Sequence, residues 1–318
     1  MKPTFSLEDK LVARARRLAG FMLLAACCFS YAQSATNAAP QSAPQADHNL
    51  LTRHYQEGEK LSYHMRGTNR DHSGTRVYEA QATGVVKKNA GGKFIEEYAW
   101  SNLIVNSVPV ALSPAVTNFR QLVSLDTFEG VPDLSQVLPL IGPITDLLTF
   151  YSDLRLAATQ GSLAHAGDHL YFKHGTPNSW ADGNYVLTGE DSIDFDITLA
   201  AADFPNQTAT VVVRHVVPAQ PQIKFPADWM RAPVSGTPNN WVQVSKNSDS
   251  KSDADKYTAA VGKETFDVEL KVSLADGRIN SATLDNPVEV LQLDCADLAL
   301  TKCGNPVRYE IRRRIEIR

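Results

Sequence analysis

Residues 265–274 alternate without a break. Phe266, Val268, Leu270, Val272 and Leu274 fall on one side, and Thr265, Asp267, Glu269, Lys271 and Ser273 fall on the other. A hydrophobic period of two is the period of an extended strand, so this segment buries its apolar set only as one face of a sheet. Asp276-Gly277 follows at once, and a glycine there accepts the positive φ that a tight hairpin demands.

The same grammar runs through most of the chain. Strands are predicted at 60–68, 75–88, 93–105, 118–125, 169–173, 185–189, 191–200, 208–217, 240–246, 279–284, 288–293 and 307–318. Polar and glycine-rich pieces such as 69–74 and 89–92 separate them as turns. Residues 246–256 are polar throughout and read as a loop.

One segment breaks the pattern. After Pro143, a residue suited to a helix start, Ile144, Leu147, Leu148, Tyr151 and Leu154 recur at helical spacing. Asp133 and Gln136 have the spacing of a capping box for a shorter helical piece upstream. The expected fold is therefore mainly β: a large curved antiparallel sheet, half-open and barrel-like, wrapping an amphipathic helix inserted at about 134–158.

The N-terminus reads as an export signal. Lys2, Lys10, Arg14, Arg16 and Arg17 precede an apolar run from Leu18 to Phe29, and Ser30-Tyr31-Ala32 offers a cleavage site before Gln33. An alternative cut lies at Leu24-Ala25-Ala26-Cys27, where Cys27 would be lipidated. Residues 33–50, rich in Ala, Gln, Ser and Pro, are a flexible linker, and 51–318 form a single β-rich domain. The expected location is extracytoplasmic, periplasmic or secreted, with no transmembrane span after the signal. Of four cysteines, Cys295 and Cys303 lie in the body, and an oxidising compartment makes them a disulfide. A formal net charge of -4 argues against a nucleic-acid partner, which selects clustered positive charge.

Candidate sites are sparse. His165, Asp168, His169 and His174 carry metal-ligand or hydrolytic side chains, yet Gly167 breaks the helix that would put the first histidines on one face. The acidic run Glu190–Asp196 lacks the Asp-x-Asp-x-Asp-Gly order of a calcium loop, and alternation turns Asp194 and Asp196 outward. Gly-x-Ser-x-Gly, Gly-x-Gly-x-x-Gly and Walker patterns are missing, so no catalytic residue, metal or cofactor is assigned. Arg313 falls on the same face as Val307, Tyr309, Ile311, Ile315 and Ile317. An inward charge of this kind pairs with a buried carboxylate, guards an edge or lines a pocket.

Gly58-Glu59-Lys60-Leu61-Ser62-Tyr63 and Leu140-Ile141-Gly142-Pro143-Ile144 through Tyr151 resemble segments of uncharacterised bacterial secreted and envelope proteins built on a large curved antiparallel sheet. A sheet wrapped on a helix is also similar to the lipoprotein-carrier half-barrel, which implies an apolar or lipid-like ligand. The resulting expectation is an exported, non-enzymatic protein binding such a ligand between sheet and helix, with Arg313, Leu147 and Tyr151 as lining residues. The alternatives are an envelope scaffold with a packed interior, and a hydrolase near His165, Asp168 and His169.

Overall fold

The computed structural model describes residues 49–126, 134, 137–181, 183–247, 252 and 254–318. The signal segment, Cys27, the capping pair Asp133 and Gln136, and residues 248–251 and 253 of the 246–256 loop lie outside the described residues.

The described chain is mainly β, in a 15-stranded sheet whose strand pairs are antiparallel and whose ends do not meet as a barrel. It opens with a meander of β1 (Lys60–Asp71), β2 (Gly74–Lys88) and β3 (Phe94–Val105), edged by β4 (Val108–Pro109) and β5 (Gln121–Val123). The region predicted as one strand over 118–125 is split between a short helix, α1 (Pro114–Asn118), and β5. Ser113 caps α1 by accepting from the Val116 amide, and proline at its first position suits a helix start.

A single-turn 3₁₀ segment, Leu138–Leu140, leads into the long helix α2 (Ile141–Thr159). The helical insertion thus starts four residues later than the 134–158 expectation at its 3₁₀ turn and seven later at α2 itself, of which Pro143 is the third residue. That position still lies in the first turn, where a backbone N–H has no helical partner to lose. Asn49 docks at the far end, donating to the Ala157 and Ala158 carbonyls at 3.0 and 3.1 Å. Those are orphan carbonyls of a helix terminus, so Asn49, grouped by composition with the linker, is an anchor point.

The second half supplies β6 (His169–Lys173), β7 (Asn178–Trp180), β8 (Val186–Asp191), β9 (Asp194–Asp203), β10 (Thr208–Val216), β11 (Trp241–Lys246), β12 (Tyr257–Glu264), β13 (Phe266–Ser273), β14 (Ile279–Cys295) and β15 (Val307–Ile317). Strand β14 is the spine. One side pairs with β15 from Ala282 to Gln292. Its other side pairs first with β13 and then, from Val288 on, with β12. The sheet therefore forks. One arm runs β13-β10-β9-β6 and the other β12-β11-β8-β7. Pro287 sits at the changeover between neighbours, a place where a strand tolerates a residue without a donor. This joins into one strand the two predicted at 279–284 and 288–293.

The strands cross from arm to arm at matching bends: Ser192-Ile193 between β8 and β9, and Thr265 between β12 and β13. Asn240 staples them. Its amide donates to the Ser192 and Glu264 carbonyls, both at 3.0 Å, and its Oδ1 accepts from the Glu264 amide at 2.8 Å.

The main core fills the space between sheet and helix. Met65, Tyr98, Leu199, Val211, Val268, Leu284 and Ile315 from seven strands meet Ile144, Leu147, Phe150 and Leu154 of α2. The apolar stripe expected of α2 is present, and its polar flank is buried too: Thr145, Asp146, Thr149 and Asp153 are all inside. A smaller core, Trp241, Ala260, Val288, Val290 and Ile311, lies along the second arm. On the opposite face Met230, Val242, Val244, Ala259 and Val261 pack around the Cys295–Cys303 disulfide, which is formed. No helix among the described residues is long and apolar enough to cross a membrane, a statement that leaves strand-built spans aside.

Candidate functional site

Helix α2 carries three side chains that an isolated apolar helix would not bury: Asp146, Tyr151 and Asp153. Asp146 and Asp153 are seven residues apart, two helical turns, and so share one flank. Each meets a basic side chain from the sheet. Arg313 of β15 donates through Nη2 to Asp146 Oδ1 at 2.5 Å, and His215 Nε2 of β10 lies 2.9 Å from Asp153 Oδ1. The Tyr78 hydroxyl donates to the other Asp146 oxygen. Tyr78 reaches the helix because its ring lies flat across Gly67, its cross-strand partner; a Cβ there would stand 2.1 Å from the ring.

On the sheet side, Asp191 and Glu264 end the strands just before the two bends. Asp191 accepts from the Asn178 amide at 2.8 Å, and Glu264 Oε1 accepts from Asn286 at 3.2 Å. Both carboxyls are buried, at 1% and 0% exposure. Burial penalises their charged forms and pushes Asp191 up to about 7 and Glu264 well above the usual carboxylate range. Burial also raises Asp146, against the opposing pull of the Arg313 charge and the Tyr78 hydrogen bond. These groups form a polar belt between the main core and the smaller one, since Arg313 sits in β15 between Ile311 and Ile315.

A second buried cluster grips the other flank. Glu96 Oε1 accepts from Arg53 Nε at 3.1 Å, and its Oε2 accepts from the Tyr98 hydroxyl at 2.9 Å and from the Tyr151 hydroxyl. Arg53 also donates to Glu59 at 2.8 Å. Tyr98 is placed as Tyr78 is, over a glycine partner, Gly84. Burial pushes the Glu96 carboxyl up, while Arg53 and the two tyrosines pull it down. Every oxygen of Glu96 has a donor, which is what a buried carboxylate requires.

The sequence candidates are distributed as follows. Arg313 does point inward, and its partner is Asp146. Leu147 is fully buried in the main core, while Tyr151 belongs to the Glu96 cluster on the opposite flank from Arg313, so the three do not line one site. His165 and Asp168 form an exposed turn in which Asp168 accepts from the Ala164 and His165 amides at 2.8 and 2.7 Å. Those two bonds hold its carboxyl below the usual range. His169 turns away to Asp196, at 2.7 Å. The exposure expected for Asp194 is corrected: Ile193, Phe195 and Ile197 keep their inward alternation, but Asp194 on the other face is buried too, accepting from the Tyr171 hydroxyl and the His174 amide that cover it. Among the described residues, no three His, Cys, Asp or Glu side chains are grouped to hold a metal ion.

No family model matches this chain, and neither a curated protein nor a solved structure shows significant similarity to it. Roles are therefore argued from geometry alone. The outer face of β1, β15, β14, β13 and β10 forms an open groove of about 680 Å³, where Arg66, Arg214 and Arg314 stand among Asp267, Asp285 and Glu316. Arg214 pairs with Asp267 at 3.4 Å and Arg314 with Asp285 at 3.3 Å, so much of this charge is internally balanced.

Of the belt residues, Asp191 was weighed only as part of the acidic run Glu190–Asp196, and Asp146, Asp153, His215 and Glu264 were not singled out from sequence. Two signals were readable: aspartates seven apart in an apolar helix, and His215 two positions after Val213 on an inward-facing alternation. Their partners lie 13 to 167 positions away in the chain, and only the fold supplies those.

Proposed function

We propose that this is an exported, non-enzymatic protein of the cell envelope whose sheet and helix form a packed scaffold. The observation that supports this reading is the filled interior. Leu147, Phe150 and Leu154 have no exposed surface, and the polar side chains of α2 are bonded directly into the strands through Arg313, His215 and Glu96. An apolar ligand seated between sheet and helix would have to displace those contacts, and each buried pair left without its partner would cost several kcal/mol, about 3–5. Export rests on the basic and apolar N-terminal segment, and the Cys295–Cys303 bond suits an oxidising compartment.

Native mass spectrometry of the mature protein, with organic extraction of the same sample, tests the proposal. The expected mass is that of the polypeptide alone. Stoichiometric recovery of a lipid or other apolar molecule overturns the scaffold and favours a carrier. The same spectrum reads the N-terminus: a chain starting at Gln33 marks simple export, an acylated Cys27 marks an anchored form, and an intact Met1 in the cytoplasmic fraction refutes export.

A further inference from the structure

The polar belt is unevenly satisfied. Arg313 uses Nη2 on Asp146 and leaves Nε without a hydrogen-bond partner; His215 uses Nε2 on Asp153 and leaves Nδ1 without one. Among the acids, Glu264 Oε2 and Asp153 Oδ2 are also unpartnered. The Arg313 charge acts on Glu264, and the His215 charge acts on Asp191. Each sheet-side acid thus lies within electrostatic reach of a basic side chain already bonded to the helix.

We propose that Asp191 and Glu264 form a proton-operated latch on helix α2. Protonated, they leave Arg313 and His215 to Asp146 and Asp153, and the fork is closed. Ionised, they compete with Asp146 and Asp153 for the Arg313 guanidinium and the His215 ring, and the fork opens at its bends.

Charge counting supports this. Of the six groups, four are acids and only Arg313 is permanently cationic, so full ionisation buries an excess of negative charge. The Asp191 charge raises Glu264 further, so ionising the first disfavours ionising the second. The surroundings add little relief: Glu190 pushes Asp191 the same way, Asn178 and Asn286 stabilise the ionised forms, and half-buried His174 faces His215 and Asp194. On the helix side Tyr78 bonds Asp146, with Arg76 beyond it.

The sign follows from the raised folded values. The contribution of Asp191 to closure is complete below the unfolded carboxyl range, near about 4, and is lost as pH rises through about 7, and Glu264, also raised, acts with the same sign. Opening that releases one proton strengthens about tenfold per pH unit inside that window.

Amide hydrogen exchange on the full mature protein between pH 5 and 8, corrected for intrinsic rates, tests the latch. Protection at Ser192 and Glu264, whose amides bond to Asn240, is expected to fall about tenfold per pH unit up to neutrality. Amides pairing β1 with β2 are expected to stay level. The variant Asp191→Asn/Glu264→Gln mimics the protonated pair and is expected to flatten the profile at the fork to within about twofold. If the double variant does not fold, Asp191→Asn alone is read for a reduced slope. A flat wild-type profile, a slope retained in the variants, or loss of protection spread evenly over the whole sheet would each overturn the latch.

Discussion

At the scale of single residues, the Arg313–Asp146 contact decides whether an inward charge is a liability. Both groups are nearly dry, so their attraction offsets desolvation only while both are present. Arg313→Met alone leaves Asp146 stranded and is expected to cost about 3–5 kcal/mol in urea denaturation. Combining it with Asp146→Leu is expected to recover most of that loss, short by about 1 kcal/mol for the Tyr78 hydroxyl, which loses its acceptor. A double variant as unstable as the sum of its parts would mean that the two side chains do not act as a pair.

At the scale of elements, α2 is held by packing all round as well as by its polar ties. Leu147 is fully enclosed, whereas its neighbour Leu148 is only partly buried. Leu147→Ala is expected to cost about 2–5 kcal/mol, because the enclosed site cannot collapse around the missing atoms. Leu148→Ala is expected to cost about 1 kcal/mol, in line with its smaller share of buried surface. Equal losses in thermal denaturation would contradict the placement of the helix. The sheet elements manage their edges by brevity: β4 has two residues and β7 three, which offers a foreign strand little to pair with.

At the scale of the whole molecule, the disulfide closes the far end of the second arm. Cys295 ends β14 and Cys303 lies eight positions on, beside Trp229 and Met230, which cover that face. A loop this short constrains the unfolded chain modestly, so Cys295→Ser/Cys303→Ser is expected to lose about 2–2.5 kcal/mol. Calorimetry of the oxidised and reduced protein checks the figure, and an unchanged midpoint would show that the smaller core holds that face unaided.

Much of the fold was legible beforehand because strand and helix periods are local properties of neighbouring residues. The run at Phe266–Ser273, the hairpin at Asp276-Gly277 and the helix after Pro143 each follow from a dozen residues or fewer. Strand β12 was not legible: Tyr257–Glu264 is buried on both faces along most of its length, so it lacks the alternation that marks a half-exposed strand. The candidate site was legible in one residue, Arg313, whose inward charge breaks its own pattern. Its partner Asp146 lies 167 positions earlier, and nothing local to either residue selects the other. Period and polarity are written along the chain, but a buried charge finds its counterpart only after strands far apart in sequence share a core, and that encounter belongs to the tertiary structure alone.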